Sequence, residues 1–245
     1  MKILSIRFEE FETFEEAEAR ASGYNNEFVL EGLPRHKHSA CLKNEEPKAE
    51  ISYLSSMAAL LSAASFYEKR KFNVVDVGGS IGEHYGLFSK LYRGPANFHW
   101  HVVETEVKAK YGNEFIIDKN LSFHEKIESI DIGQVNILHL SGVLGYMKDP
   151  IEFIESNEVK TSDFIILNRT SIIPGNSIRA FSQFVTYDKG EMSCAGRAIG
   201  DEFLQETLGR THDIEMIWEN RHESFRTNLG TLCTAGGMLC RRKDL

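Results

Sequence analysis

The chain has 245 residues, enough for one large domain or one domain with an extension. Its 42% apolar and 26% charged content excludes a disordered, collagen-like or disulfide-scaffold protein. A net charge of −8 argues against a nucleic-acid partner, because a phosphate backbone needs a basic face.

Residues 1–70 read as helical and irregular. Met1–Glu10 carries Lys2, Arg7, Glu9 and Glu10 rather than an apolar signal-peptide stretch. Thr13 and Glu16 fit a capping box, which predicts a helix running to about Ser22 and stopping at Gly23. A polar loop, Leu33–His38, follows. Lys48–Lys71 then predicts an amphipathic helix with Ile51, Leu54, Met57, Leu61 and Ala64 on one stripe and a cationic last turn at residues 68–71. This helix leads straight into Phe72, so it must pack near the sheet. The polar stretch Pro34–Pro47 is expected to swing over the site as a lid.

From residue 72 short β-branched runs alternate with helical stretches. The runs are 72–77, 99–104, 135–140 and 163–167, with a weaker one at 121–123. Glu83–Tyr92 and Pro150–Asn157 read as helices between them. Alternation of this kind predicts βαβ units and a mostly parallel sheet. Ile214–Trp218 and Gly237–Cys240 read as an antiparallel pair at the sheet edge, joined by a loop over Glu219–Thr231. No run approaches 18 apolar residues, so no membrane span is expected.

The functional signal is concentrated in Val74–Gly82. Glycines at 78, 79 and 82 follow a strand and open a helix, where α/β sheets bind ligands. Read from Gly78, the G-x-G-x-x-G register of nicotinamide and flavin sites fails at Ser80 and Glu83, and the phosphate-loop Gly-Lys-Ser/Thr ending is absent. Asp76 ends the strand two residues before Gly78, a position suited to an ammonium or sulfonium ligand and unsuited to a phosphate. Glu104 follows Gly82 by 22 residues at the end of the second strand, where an acid accepts ribose hydroxyls. His139–Pro150 brings small residues to the end of another strand.

Asp76-Val77-Gly78-Gly79-x-x-Gly82, Glu104 and Leu140–Pro150 resemble class I S-adenosylmethionine-dependent methyltransferases. Ala19–Tyr24, His84-Tyr85, Val103-Glu104, Ser141–Leu144 with Tyr146, Asp149 and Pro150, and Asn168-Arg169-Thr170 narrow the likeness. Together they resemble a family of bacterial methyltransferases often associated with surface-polysaccharide biosynthesis. The resemblance implies a Rossmann-like, doubly wound α/β fold. Its seven-stranded sheet has order 3-2-1-4-5-7-6 with the last strand antiparallel, in a methyltransferase domain over 71–245 preceded by a helical extension over 1–70. It implies S-adenosyl-L-methionine as cofactor: Asp76 near the methionine amino group, Gly78, Gly79, Ser80 and Gly82 beneath the methionine and ribose, Glu104 on the ribose, and Ser141, Gly142 and Val143 beside the sulfonium. Ser80 departs from the usual middle glycine, and the acid that often holds the adenine amine has no clear match, His124 and Glu125 being nearest.

The acceptor is expected to be a small molecule or glycan, methylated on a hydroxyl with help from a base. His84, Tyr146, Asn168 and Arg169 are the candidates near the strand ends. His84 could instead complete the cofactor site, Tyr146 could be packing, and Arg169 could hold an anionic acceptor group or pair with a nearby acid. A methyltransferase-like domain that binds without catalysis is the alternative. No metal is expected: His36, His38 and Cys41 lack a fourth ligand in sequence, and His99 and His101 share one strand face as packing or surface residues. Cys233 and Cys240 read as buried thiols. No C-x-x-C pair occurs among the four cysteines, so reduced thiols and a cytoplasmic location are expected.

Overall fold

A computed structural model describes residues 3–23, 51–67, 70–95, 97–188 and 190–245. The loop 33–38 and the ligand candidates His36, His38 and Cys41 lie outside the described residues, as does the expected lid 34–47.

The parallel core begins at β2 (Phe72–Val77), followed by β3 (Phe98–Val103), β4 (Leu121–His124), β5 (Ile137–Ser141) and β6 (Phe164–Ile173). β9 (His212–Arg226) and β10 (Leu232–Arg242) complete it. These strands lie side by side as β4-β3-β2-β5-β6-β10-β9, and β10 is antiparallel to both neighbours. Counted from β2, this is the order 3-2-1-4-5-7-6. β9 and β10 form one long hairpin, so the loop expected over Glu219–Thr231 shrinks to the turn after Arg226. The outer half of β9 is largely exposed, and its charged residues hide the strand pattern in the sequence.

A second sheet segment grows from the end of β6. Ile172 and Ile173 pair in parallel with Ile199 and Gly200 of β8 (Gly190–Gly200). β8 pairs antiparallel with β7 (Ile178–Tyr187), which pairs antiparallel with β1 (Ile3–Phe11). One expectation is corrected here: the amino-terminal stretch is a strand before it is helical. The hairpin of β7 and β8 has no counterpart among the expected strands. Polar residues inside these strands conceal them. Ser182 of β7 is fully buried because its hydroxyl donates to the Ala17 carbonyl at 2.6 Å.

Helix α1 (Phe14–Arg20) has the predicted capping box, with Thr13 and Glu16 bonding reciprocally. Helix α2 spans Ile51–Ser65, so the basic residues expected in its last turn lie beyond its end. Its buried face keeps Met57 and Ala64 of the expected stripe and adds Ser52, Ser56, Leu60 and Ala63, whereas Leu54 is 52% exposed. Helices α3 (Glu83–Leu91) and α4 (Glu106–Phe115) follow β2 and β3. The single helix expected after Pro150 is two short ones, α5 (Pro150–Ile154) and α6 (Asn157–Thr161), because Ser156 caps a new start. Helix α7 (Asp201–Leu208) completes the set.

The sheet buries an apolar layer on each face. Trp100, Phe72, Phe88 and Leu60 belong to the layer that includes α2 and α3, while Val75, Leu138, Leu140, Ile165 and Leu204 form the other. No helix among the described residues is long and apolar enough to cross a membrane.

Candidate functional site

The loop between β2 and α3 is built on left-handed backbone. Gly78, Ser80 and Gly82 have φ of 72°, 53° and 86°. Such angles strain a side-chain-bearing residue and suit glycine. Gly78 is constrained twice, because a Cβ there would lie 2.6 Å from Val143. That close approach seats the segment after β5 against the segment after β2. Gly79 covers the Asp76 carboxylate, which a Cβ would meet at 2.5 Å.

Glu104 reaches this loop from the end of β3. Its Oε1 accepts from the Ser80 N–H at 3.1 Å and from Lys108 Nζ at 2.7 Å, and its Oε2 accepts from the Thr105 N–H at 2.9 Å. The acid and the glycine loop, 22 residues apart in sequence, are thus joined directly. Beside them, α4 and the end of β4 enclose a cleft of about 730 Å³ lined by Glu106, Lys110, Asn113, His124 and Glu125.

Beneath the loop lies a buried polar group. Asp76 accepts from His139 Nδ1 at 2.8 Å and from Trp100 Nε1 at 3.2 Å, and His84 Nδ1 is 3.9 Å from its second oxygen. Burial alone would raise the Asp76 pKa. The His139 imidazole, with His84 and the Trp100 N–H, outweighs that and holds the carboxyl below its ordinary value. Burial and the neighbouring His139 lower the His84 pKa as well, to about 3, so its ring is neutral. The Nε2 atoms of His84 and His139 are both buried without a hydrogen-bond partner. Asp76, His84 and His139 could each offer a metal-ligating atom within 4.8 Å of the others. The Asp76 carboxylate is already engaged by two N–H donors, one on each oxygen.

Asn168 of β6 continues this polar row. Its Nδ2 donates to the Ser52 carbonyl at 2.9 Å and to Ser141 Oγ at 3.1 Å. Its Oδ1 accepts from Trp218 Nε1 at 3.0 Å and Asn220 Nδ2 at 3.2 Å. Its carbonyl accepts from the N–H of Gly142, whose φ is 67°. The amino end of α2 is therefore tied to the end of β5 and to the middle of β6 and of β9. Arg169 follows with a φ of 52°, donating from Nε to Glu223 at 3.0 Å and lying 5.8 Å from the Tyr53 ring. Tyr53 in turn meets His84 edge-on.

The structure thus brings Gly78, Gly79, Ser80, Gly82, Glu104 and Val143 into one loop assembly. It places Asp76, His84, Ser141, Gly142, Asn168 and Arg169 along a polar row next to it. Tyr146 lies toward the β7–β8 hairpin, within electrostatic reach of Arg169 and Glu223. Its hydroxyl donates to Gln183 at 2.9 Å, and burial raises its pKa. His139, Trp100, Ser52, Trp218, Asn220 and Glu223 escape the sequence reading. One signal was available: β2 and β5 pair in parallel register, with Asp76 opposite His139, so alternation along both strands puts the two on one face.

No family model matches the chain, and no curated protein matches it in sequence. Solved structures do. A magnesium protoporphyrin IX methyltransferase from Synechocystis, with bound SAM, superposes with a TM-score of 0.53 at 11% identity over 90% of this chain and 94% of that one. The amino-terminal domain of EvdMO1, in the presence of SAH and D-fucose, gives 0.50 at 13% identity over 81% and 86%. At these identities the likeness is one of architecture, and the chain has the Rossmann-like fold seen in these methyltransferases.

Proposed function

We propose that the protein is an S-adenosylmethionine-dependent methyltransferase that methylates a hydroxyl of a small-molecule or glycan acceptor. The observation that carries this reading is the direct bond between Glu104 and the left-handed loop at Ser80. It brings a ribose-binding acid and a close-approach glycine loop to one point at the carboxyl edge of the sheet. The residues fit the group. Gly78, Gly79 and Gly82 leave backbone bare, Glu104 offers carboxylate oxygens, and the cleft beside α4 brings His124 and Glu125 to the adenine side.

Bound there, the cofactor supplies a methyl group already activated on sulfur. The chain then has to position an acceptor in line and take its proton. Ser141, Gly142 and Val143 form the wall where the acceptor meets the donor. Asn168 holds that wall as a positioning residue, since all its polar atoms are engaged. Arg169, held by Glu223, presents a guanidinium that can exchange this acid for an anionic group on the acceptor. His84, neutral and facing Asp76, is the group able to accept a proton, and the carboxylate would offset the charge that forms. Tyr146, bonded to Gln183, shapes the pocket on its hairpin side.

The neighbour crystallised with D-fucose makes sugars the first acceptors to try. This also accords with a place in surface-polysaccharide biosynthesis. Calorimetry should show binding of S-adenosylhomocysteine and none of NAD, and the reverse result would overturn the cofactor. Donor consumption should then appear with nucleotide sugars or oligosaccharides. One observation favours a second reading, binding without catalysis: burial of His84 weakens it as a base. Tight S-adenosylhomocysteine binding without turnover on any acceptor would favour that reading.

A further inference from the structure

A cluster on β3 and β4, which meets the proposed cofactor cleft at His124, carries its own chemistry. On β3, His99 and His101 lie on the face that also presents Val103. On the neighbouring strand β4, Ser122 and His124 stand in register beside His101 and Val103. Three imidazoles converge on one hydroxyl. Ser122 Oγ lies 3.2 Å from His99 Nε2, 3.0 Å from His101 Nδ1 and 2.8 Å from His124 Nε2. His101 Nδ1 and His124 Nε2 are themselves 3.3 Å apart.

We propose that His99, His101 and His124, with the Ser122 hydroxyl, form a binding site for a divalent transition metal of the zinc type. Two ligands on a tetrahedral zinc with bonds of about 2.0–2.1 Å stand about 3.3 Å apart. Four of the six ligand-to-ligand edges of such a tetrahedron are therefore already close to length. The two remaining edges both involve His99, a half-buried ring that closes the set by a side-chain rotation.

The donor set selects the metal. Three imidazoles with no thiolate and no carboxylate suit zinc, cobalt, nickel or copper rather than magnesium or calcium. Only neutral imidazole has a lone pair to give, and burial keeps all three histidines below their ordinary pKa, with the neighbouring rings adding to it at His101, which lies at about 4, and at His124. Asp118, which acts on His99, supplies compensating negative charge.

The position gives the site a purpose. β4 is a four-residue edge strand, and a metal on β3 and β4 would cross-link it to the sheet. The His124 carbonyl accepts from the Glu104 N–H at 2.9 Å, so the cross-link lies directly behind the acid that ties the glycine loop.

The test is titration of the full-length, chelator-treated chain with Co²⁺, read by the visible absorption of tetrahedral cobalt, and with Zn²⁺ in competition. One equivalent should bind, and its melting temperature should rise with metal. His99→Ala should weaken Co²⁺ binding by about 100-fold or more, since even partners outside the ligand shell are worth about 10–100-fold. His124→Gln should do the same, which guards against a folding defect in either variant alone. A combined His36→Ala, His38→Ala, Cys41→Ser variant should bind like the parent. Absence of tetrahedral cobalt in the parent chain, or tight binding that survives both His99→Ala and His124→Gln, would overturn the site.

Discussion

Across β2, β5 and β6 the two faces of the central sheet are built from the same strands and differ completely in chemistry. On one face Val75, Val77, Leu138, Leu140, Ile165 and Leu167 form an apolar layer with no break at the carboxyl ends. On the other, the apolar layer of Val74, Ile137 and Ile166 gives way to Asp76, His139, Ser141 and Asn168, all buried. Alternation along a strand makes this possible: each residue of the polar row has an apolar neighbour in sequence that points the other way. A protein that only needed to fold could fill both faces with aliphatic side chains. Burying a carboxylate, two imidazoles and an amide on one face alone costs desolvation, and the row ends where the glycine loop begins.

The largest expected effect comes from breaking the polar face. Asp76→Ala leaves His139 Nδ1 and Trp100 Nε1 without their acceptor and should destabilise the fold by about 3–5 kcal/mol in urea unfolding. Asp76→Leu combined with His139→Leu should be milder than either single change, because only the Trp100 N–H then lacks its partner. If the double variant is the worse one, the polar row is held by something other than its internal pairing. Next comes Glu104→Ala, which should weaken S-adenosylhomocysteine binding by about 2–4 kcal/mol, two hydrogen bonds to a charged acceptor being worth about 1.5–3 kcal/mol each. Its melting temperature should hardly move, which separates the loop assembly from the row beneath it. A smaller cost, about 1–3 kcal/mol, is expected for Asn168→Ala, which strands the Trp218 and Asn220 donors. Trp218 fluorescence should shift in the same variant.

The gentlest probe near neutrality is pH. The His84 pKa is about 3 in the folded chain against an ordinary 6.5, and His101 lies at about 4. On acidification the unfolded chain takes up these protons first. The stability from keeping the rings neutral is therefore complete above about pH 7 and declines as pH falls through 6.5 towards 3–4. His84→Gln should flatten part of that decline in melting curves between pH 7 and 5. An unchanged slope would mean that His84 is protonated in the fold.

The same contrast explains what the sequence made legible. The parallel strands announce themselves by β-branched runs, and the glycine loop by residues that few other conformations require. The Thr13–Glu16 box is local chemistry and needs no tertiary context. The buried face of α2 departs from apolar periodicity at its amino end, which lies over the polar row. Ser52 and Ser56 point inward there, while Leu54, which apolar periodicity sends inward, is exposed. β1, β7 and β8 were hidden for a related reason, since residues such as Ser182 and Gln183 fill inward positions with specific partners. His139 and Trp100 needed the register between strands, which one strand alone does not reveal. The meeting of His99, His101 and His124 likewise depends on β3 and β4 lying side by side.

The attachment of the β1-β7-β8 segment has a consequence for how such a protein diversifies. Among the described residues its strand-ladder seam to the parallel core is two residue pairs, Ile172 with Ile199 and Ile173 with Gly200, beside a single backbone bond from the Asn228 N–H to the Phe8 carbonyl of β1. Lengthening, shortening or replacing the hairpin beyond that seam leaves the ladder from β4 to β9 intact. The surface bordering the strand ends can therefore drift rapidly under selection while the glycine loop and its acid stay fixed. One scaffold could in this way be retargeted many times without losing its ability to fold.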